Sequence, residues 1–286
     1  MPKKSIIDFR RMKETAEQMT WMTAYDFPQA SFQEAAGIDM ILVGDSLGMI
    51  VLGYNGTIPV TMDDCIRHCQ AVRRGAPNTF VIGDMPFGSY QTSPEDAVRN
   101  AVRFLKEADV DAIKLEGGKR VAPQIRAIVD AGILTIGHLG LTPQSSGQLG
   151  GFKAQGRSAD SAMMIVEDSV AVYEAGAHML LLEGIPDEVG EQITKALPIP
   201  VLGIGAGAHC DGQLLISGDA LGLFQAFTPK FVKKYAQVAQ ICTDAYKAYV
   251  DDVHNHRFPG EEHFYGMPAA EAEEFRKRMA NLKLQK

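Results

Sequence analysis

Eight short apolar runs punctuate the chain, and four of them end in an acid beside glycine. The runs are MTWMTAY (19–25), MILVGD (40–45), TFVIGD (79–84), AIKLEG (112–117), LTIGHLG (134–140), HMLLLEG (178–184), PVLGIGAG (200–207) and a weaker QLLIS (213–217). Runs of four to eight β-prone residues with little polar alternation predict strands buried on both faces. The stretches between them have helical patterns with readable ends. Thr61-Met-Asp-Asp64 has the form of a capping box, and Ser93-Pro94-Glu95-Asp96 that of an N-cap followed by proline at the first helical position. KEADVD, VDAGI and YEAGAH are helix-to-strand returns, two of them with glycine at a C-cap.

Eight strands alternating with helices predict a (β/α)8 TIM barrel over residues 1–266, with a C-terminal helical tail over 267–286. The rival is an open doubly wound sheet. The acids favour the barrel, because a closed ring can aim several strand ends at one axis. No G-x-G-x-x-G fingerprint follows the first strand, and GIGAG (203–207) has the wrong spacing for one; it suits a tight strand exit. Residues 228–256 read as helix, 258–266 as a turn-rich segment and 268–286 as a terminal helix with Glu273–Lys277 and Glu274–Arg278 pairs. Phe275, Met279 and Leu282 form a stripe suited to docking on the barrel or on a neighbouring subunit, which points to an oligomer.

An unpaired charge is too costly to bury, so Asp45, Asp84, Glu116 and Glu183 must emerge at the rim. Any one of them could instead cap a helix or pair with an arginine; four at equivalent strand ends favour a shared site. Asp45 and Asp84, each directly after glycine, are hard oxygen donors that suit Mg2+. Glu116 could join them or hold a metal-bound water. Lys114 lies two residues before Glu116 and so shares its face of the strand, offering a cation to an anionic substrate or a structural ion pair. Ser46 and the amides of its turn could grip a carboxylate; without G-x-S-x-G around it, it is no nucleophile elbow.

Glu183 closes the run MLLLEG, an apolar setting expected to raise its pKa towards the range of a general base. It is the acid assigned to proton transfer. His138 is either a satisfied rim residue or one that bonds substrate or orients a base. Cys65, His68 and Cys69 imitate half of a zinc site, but no second ligand pair has the usual spacing. His254, His256 and His263 are weak as a metal set for the same reason.

Composition narrows the function classes. The 286 residues are 46% hydrophobic and 22% charged, enough for a large core. A net charge of −7 argues against nucleic-acid partners and anionic membranes. Four cysteines make no disulfide framework. The opening MPKKSIIDFRRMKETAEQ lacks the apolar core of a signal peptide, and no apolar run reaches the roughly 18 residues of a membrane span. The expectation is a cytoplasmic protein of a reducing compartment.

Several segments in order carry a family resemblance: TAYDFPQA (23–30), LVGDSLGMIVLGY (42–54), TIPVTMDD (57–64), AVRRGAPN (71–78), DMPFGSY (84–90), IKLEGG (113–118), GHLGLTPQS (137–145), GIGAG…DGQ (203–213) and PGEEH (259–263). Together they resemble the ketopantoate hydroxymethyltransferase family. The resemblance implies a barrel related to the phosphoenolpyruvate-binding lyases and mutases. It implies one Mg2+ per subunit on the aspartates matching Asp45 and Asp84, with Glu116 in the metal's shell. The substrate 2-oxo acid would meet Asp45, Ser46, Asp84 and Lys114, and Glu183 would accept the proton. The implied activity is transfer of a hydroxymethyl group from 5,10-methylenetetrahydrofolate to 3-methyl-2-oxobutanoate in pantothenate biosynthesis, by a homodecamer. The alternatives are another Mg2+-dependent 2-oxo-acid lyase or mutase on the same barrel, which would need no folate, and a non-catalytic 2-oxo-acid binder, which would need no Glu183.

Overall fold

The structure is a computed structural model that describes residues 2–282, so the last four residues of the expected terminal helix lie outside the described residues. All eight apolar runs are strands: β1 (Met19–Thr23), β2 (Met40–Val43), β3 (Phe80–Asp84), β4 (Ala112–Glu116), β5 (Thr135–Gly140), β6 (Met179–Glu183), β7 (Val201–Ile204) and β8 (Gly212–Leu215). Each pairs in parallel with the next, and β8 pairs with β1 to close the barrel. The open sheet is thereby excluded.

Strand alternation divides the apolar residues into two cores. Trp21, Leu42, Ile82, Ile136, Leu181 and Ile204 point inward and fill the barrel. Ile41, Val81, Ile113, Leu115, Leu180 and Val201 point outward against the surrounding helices. Both faces are dry, which is why the runs show no polar alternation. The N-terminal helix Ile6–Glu14 sets Phe9 and Met12 against the inner core, with Phe9 edge-on to Phe80 at 5.2 Å between ring centroids. Phe80 begins β3, so this helix stoppers the N-terminal end of the barrel. The mouth at the C-terminal strand ends is left for chemistry.

Local sequence fixes the connections. Thr61 and Asp64 form the expected capping box: the Thr61 amide donates to Asp64 Oδ2 at 3.0 Å and the Asp64 amide to Thr61 Oγ1 at 3.2 Å. The Asp96 amide donates to Ser93 Oγ at 3.1 Å, with Pro94 opening the helix Pro94–Ala108. One unit of the barrel departs from strict alternation, since β7 and β8 are joined by residues 205–211 without a helix. GIGAG is a tight strand exit there. Gly205 has φ +64°, and a Cβ on it would come within 2.5 Å of the Phe231 ring.

The helix expected over 228–256 begins only at Val238. Residues before it run irregularly because they are spent on the barrel: Phe231 covers Gly205, and the Tyr235 amide donates to Ala220 O at 2.7 Å. The chain divides into two compact units at Ala236/Gln237, and the 266/267 division expected from sequence falls inside the second. That second unit holds the helices Val238–His254 and Ala269–Ala280. Phe258 packs between Tyr249 and His263, with centroids 5.9 and 5.0 Å away. The Glu273–Lys277 and Glu274–Arg278 pairs form, at 2.9 and 2.8 Å, and Phe275, Met279 and Leu282 are exposed. No helix among the described residues is long and apolar enough to cross a membrane.

Candidate active site

The inward parity that fills the barrel with leucine and isoleucine delivers charge at its mouth. On β3 the inward series Phe80, Ile82 ends in Asp84; on β4 Ala112 is followed by Lys114 and Glu116; on β5 Ile136 is followed by His138; on β6 Met179 and Leu181 are followed by Glu183. Asp84 is in register with Lys114, and Glu116 with His138. Asp45 comes two residues past β2, in the turn into the short helix Leu47–Ile50. Its amide donates to Asp84 Oδ2 at 3.0 Å. The rim therefore gathers all the acids singled out in the sequence, together with Lys114, Ser46 and His138, around one cleft.

Asp45, Asp84, Lys114, Glu116 and His138 are each at most 4% exposed. Such burial would be prohibitive for isolated charges, and here they are interlocked. Lys114 Nζ lies 2.7 Å from Asp84 Oδ1 and 3.9 Å from Glu116 Oε1. The approach to Asp84 is a charge contact without the alignment of a hydrogen bond, so Oδ1 has no aligned donor among the described residues. Burial pushes the Asp45 carboxyl up, and the charges of Asp84 and Glu116 add to it. Burial also raises Asp84, against the pull of Lys114. Glu116 goes the other way: burial would raise it, but His138, Lys114 and the Gln144 amide hold it below the usual carboxylate range. Burial works against a charged Lys114, yet Asp84, Glu116 and Asp45 together hold its proton firmly.

His138 bridges the two ends of the cleft. Its Nδ1 is 3.4 Å from Glu116 Oε1 and its Nε2 is 3.1 Å from Glu183 Oε2. Lys114 Nζ is also 3.3 Å from Nδ1, a contact that could be a hydrogen bond only if the ring were neutral there. Burial and Lys114 push the imidazole pKa down, but Glu116 and Glu183 outweigh them and raise it to about 9. Nδ1 thus faces Glu116 and Nε2 faces Glu183, so a proton gained by the ring is held between two carboxylates. Glu183 is less enclosed than its apolar sequence setting suggests, since its side chain is 15% exposed and faces His138.

Three residues that sequence reasoning does not single out complete the site. Gln144, 4% exposed, ties three strand ends together. Its Nε2 donates to Asp45 Oδ2 at 2.9 Å and to Met85 O at 3.0 Å, and its amide donates to Glu116 Oε2 at 3.0 Å. Tyr90 OH donates to Gln144 Oε1 at 2.7 Å and also lies 3.1 Å from the Glu116 amide. Tyr25 OH is 2.8 Å from Ser46 Oγ. The one signal for them in the sequence is their place inside segments that carry the family resemblance; loop residues have no periodicity to reveal them. Cys65 and Cys69, by contrast, are packed in the outer core.

Two buried carboxylates side by side, one with an oxygen lacking an aligned donor, suit a hard divalent cation that keeps much of its water. No group of three or more His, Cys, Asp or Glu side chains among the described residues is arranged to hold a metal by itself. Glu116 already has both oxygens engaged, by Gln144 on one side and by His138 and Lys114 on the other.

A closed parallel barrel with an acid–lysine–histidine cluster at its C-terminal mouth defines the class: a TIM-barrel protein with an enzyme-like site. The barrel resembles solved structures of phosphonopyruvate hydrolase in complex with oxalate and Mg++ (TM-score 0.59, 13% identity, 98% of each chain) and of 2,3-dimethylmalate lyase, a member of the PEP mutase/isocitrate lyase superfamily (TM-score 0.56, 17% identity, 96% of this chain and 98% of the other). At these identities the likeness shows the fold. The sequence profile of the family described as Ketopantoate hydroxymethyltransferase matches residues 3–261, and the chain belongs to that family. Its relatives include the 3-methyl-2-oxobutanoate hydroxymethyltransferases of Alkaliphilus metalliredigens (strain QYMF), 66% identical over 98% of this chain and 99% of the relative, and of Moorella thermoacetica (strain ATCC 39073 / JCM 9320), 54% identical over 89% and 94%.

Proposed function

We infer that this chain, like its relatives, transfers a hydroxymethyl group to 3-methyl-2-oxobutanoate. The one-carbon donor is 5,10-methylenetetrahydrofolate, and the products, with one water consumed, are 2-dehydropantoate and tetrahydrofolate. The observation that carries the reading is the division of the mouth into two parts: the Asp45–Asp84–Lys114–Glu116 cluster on one side, and Glu183 across the His138 ring on the other.

Asp45 and Asp84 would hold Mg2+, with Glu116 reaching it through water. Bound there, the cation would supply Lewis-acid polarisation of the 2-oxo acid's carbonyl. Lys114 adds fixed positive charge beside that oxygen as negative charge develops on it. Ser46 Oγ, steadied by Tyr25 OH at 2.8 Å, meets the substrate carboxylate. Glu183 takes the proton from C-3, and the His138 ring, 3.1 Å away, orients its carboxylate. Water releases the one-carbon unit from the folate nitrogens at the formaldehyde level, the carbanion at C-3 adds to its carbonyl carbon, and the resulting alkoxide takes up a proton to become the hydroxymethyl group. The protein would work in the cytoplasm as a homo-oligomer, a decamer by family resemblance.

The test is a pair of assays on the full chain with Mg2+. In D2O without folate, the C-3 proton of 3-methyl-2-oxobutanoate should exchange. With methylene-loaded tetrahydrofolate, 2-dehydropantoate should accumulate. Exchange without folate-dependent product would point instead to a lyase or mutase on this barrel, and neither reaction would leave a binder.

A further inference from the structure

The cleft extends well beyond what a five-carbon oxo acid fills. It encloses about 840 Å³, counting space open to solvent at its mouth, towards the upper end of small-molecule pockets. Its floor is the charged cluster; its outer wall includes Phe152, Phe224, Phe227 and Phe231. Two side chains in this wall have no hydrogen-bond partner among the described residues, Thr57 buried from solvent and Asp219 nearly so. Thr57 lines the cleft, is 3% exposed, and its Oγ1 has no hydrogen-bond partner among the described residues. Asp219, on the one-turn helix Ser217–Ala220 that follows β8, is 7% exposed, and no hydrogen bond reaches its carboxylate from the described residues. Burial pushes that carboxyl up to about 6, with Lys234 pulling it back. Buried polar groups left without partners are costly, so a ligand that brings its own donors and acceptors gains by meeting them.

We propose that this wall seats the pterin ring of the folate co-substrate, with Asp219 accepting from the ring's 2-amino and N3 hydrogens, Thr57 Oγ1 bonding a second polar edge, and the ring's flat face lying against the phenylalanines. The proposal rests on the hydroxymethyltransferase reading above. A pterin presents two parallel N–H donors along one edge, the pattern a carboxylate accepts in bidentate fashion. Its faces suit exposed aromatic rings. The reaction itself requires the one-carbon unit to reach C-3 of an oxo acid lying on the floor, which leaves the outer wall for the ring. The neighbouring chain adds a charge argument. From Ala220 to Thr243 there is no acid, while Lys230, Lys233 and Lys234 lie together, in a protein of net charge −7. That stretch complements the anionic glutamate tail of a folate.

Anaerobic calorimetry on the full chain, titrating tetrahydrofolate and, separately, 3-methyl-2-oxobutanoate with Mg2+, tests the assignment. D219N should lose at least about tenfold in tetrahydrofolate affinity and bind the oxo acid as the wild type does. Phe227 is 51% exposed, so F227A removes a stacking surface without opening the core, and it should weaken tetrahydrofolate several-fold even if D219N does not fold. Tetrahydrofolate affinity within twofold of wild type in the folded variants would overturn the pterin seat. A wild-type protein that exchanges no C-3 proton would overturn the activity reading instead, so the two failures are distinguishable.

Discussion

His138 Nε2 lies 3.1 Å from Glu183 Oε2, while Nδ1 of the same ring lies 3.4 Å from Glu116 Oε1. One imidazole thus spans Glu116 and Glu183, the acid proposed for proton transfer. The Glu183 contact is close enough for an ion pair but out of line for a hydrogen bond, so its hold on the carboxylate is chiefly Coulombic. Removing the ring should disturb the orientation of Glu183 more than the binding of substrate. H138Q is expected to slow C-3 proton exchange by about 10²-fold with little change in the KM for the oxo acid. Proton NMR in D2O and steady-state kinetics would check both.

Glu183 is expected to act in proton transfer alone. E183Q should bind Mg2+ and 3-methyl-2-oxobutanoate with near wild-type affinity and lose about 10²–10⁴-fold in exchange rate. Unimpaired exchange in a variant that still binds both ligands would remove Glu183 from the role of base.

Asp84 is the counter-ion of Lys114 and, in the proposed reading, also a ligand of the cation. D84A should abolish Mg2+ binding measured by calorimetry, and turnover with it. It should also lower unfolding stability by about 3–5 kcal/mol in urea, because Lys114 is left buried beside a gap. Mg2+ should raise the melting temperature of the wild type and leave that of D84A unchanged.

Gln144 acts through others, joining Asp45, Glu116 and Tyr90 by direct hydrogen bonds. Q144A should weaken Mg2+ by about 10–100-fold. The backbone amide that serves Glu116 survives the substitution, so the variant should fold and retain measurable exchange at saturating Mg2+.

Gly83 lies just before Asp84 and faces outward, where a Cβ would come within 2.5 Å of the buried Phe104 ring. G83A should cost about 1–3 kcal/mol of stability by overpacking. Denaturant unfolding measures it directly, and a cost near zero would mean that the helix carrying Phe104 yields freely.

What the sequence makes legible here depends on periodicity. The strands can be placed to within three residues at either end because a parallel barrel buries both faces, and eight continuous apolar runs too short for buried helices fit little else. Asp84, Glu116 and Glu183 are legible as charges that such strands can only end in. Gln144, Tyr90 and Tyr25 are not, since a loop residue acquires its partners from tertiary closure and leaves no local pattern. The helix expected over 228–256 fails at its start for a related reason. Phe231 and Tyr235 fit a helical stripe, but tertiary demand overrides the pattern: Gly205 offers room for a ring that no Cβ could share. The surroundings of Glu183 mislead in the same way, because its chain neighbours are leucines while its spatial neighbour is His138.

Phe9 and Met12, packed under the inner core beside Phe80, have a further consequence. They extend an interior already packed by Trp21, Leu42 and Ile82, so nothing enters from that end. If the oxo acid lies on the charged floor and the folate above it, as proposed, the two share one entrance and must come in order: oxo acid first, folate second, with the spent folate leaving before the product. The packing of one end of the barrel would then set the schedule of traffic at the other.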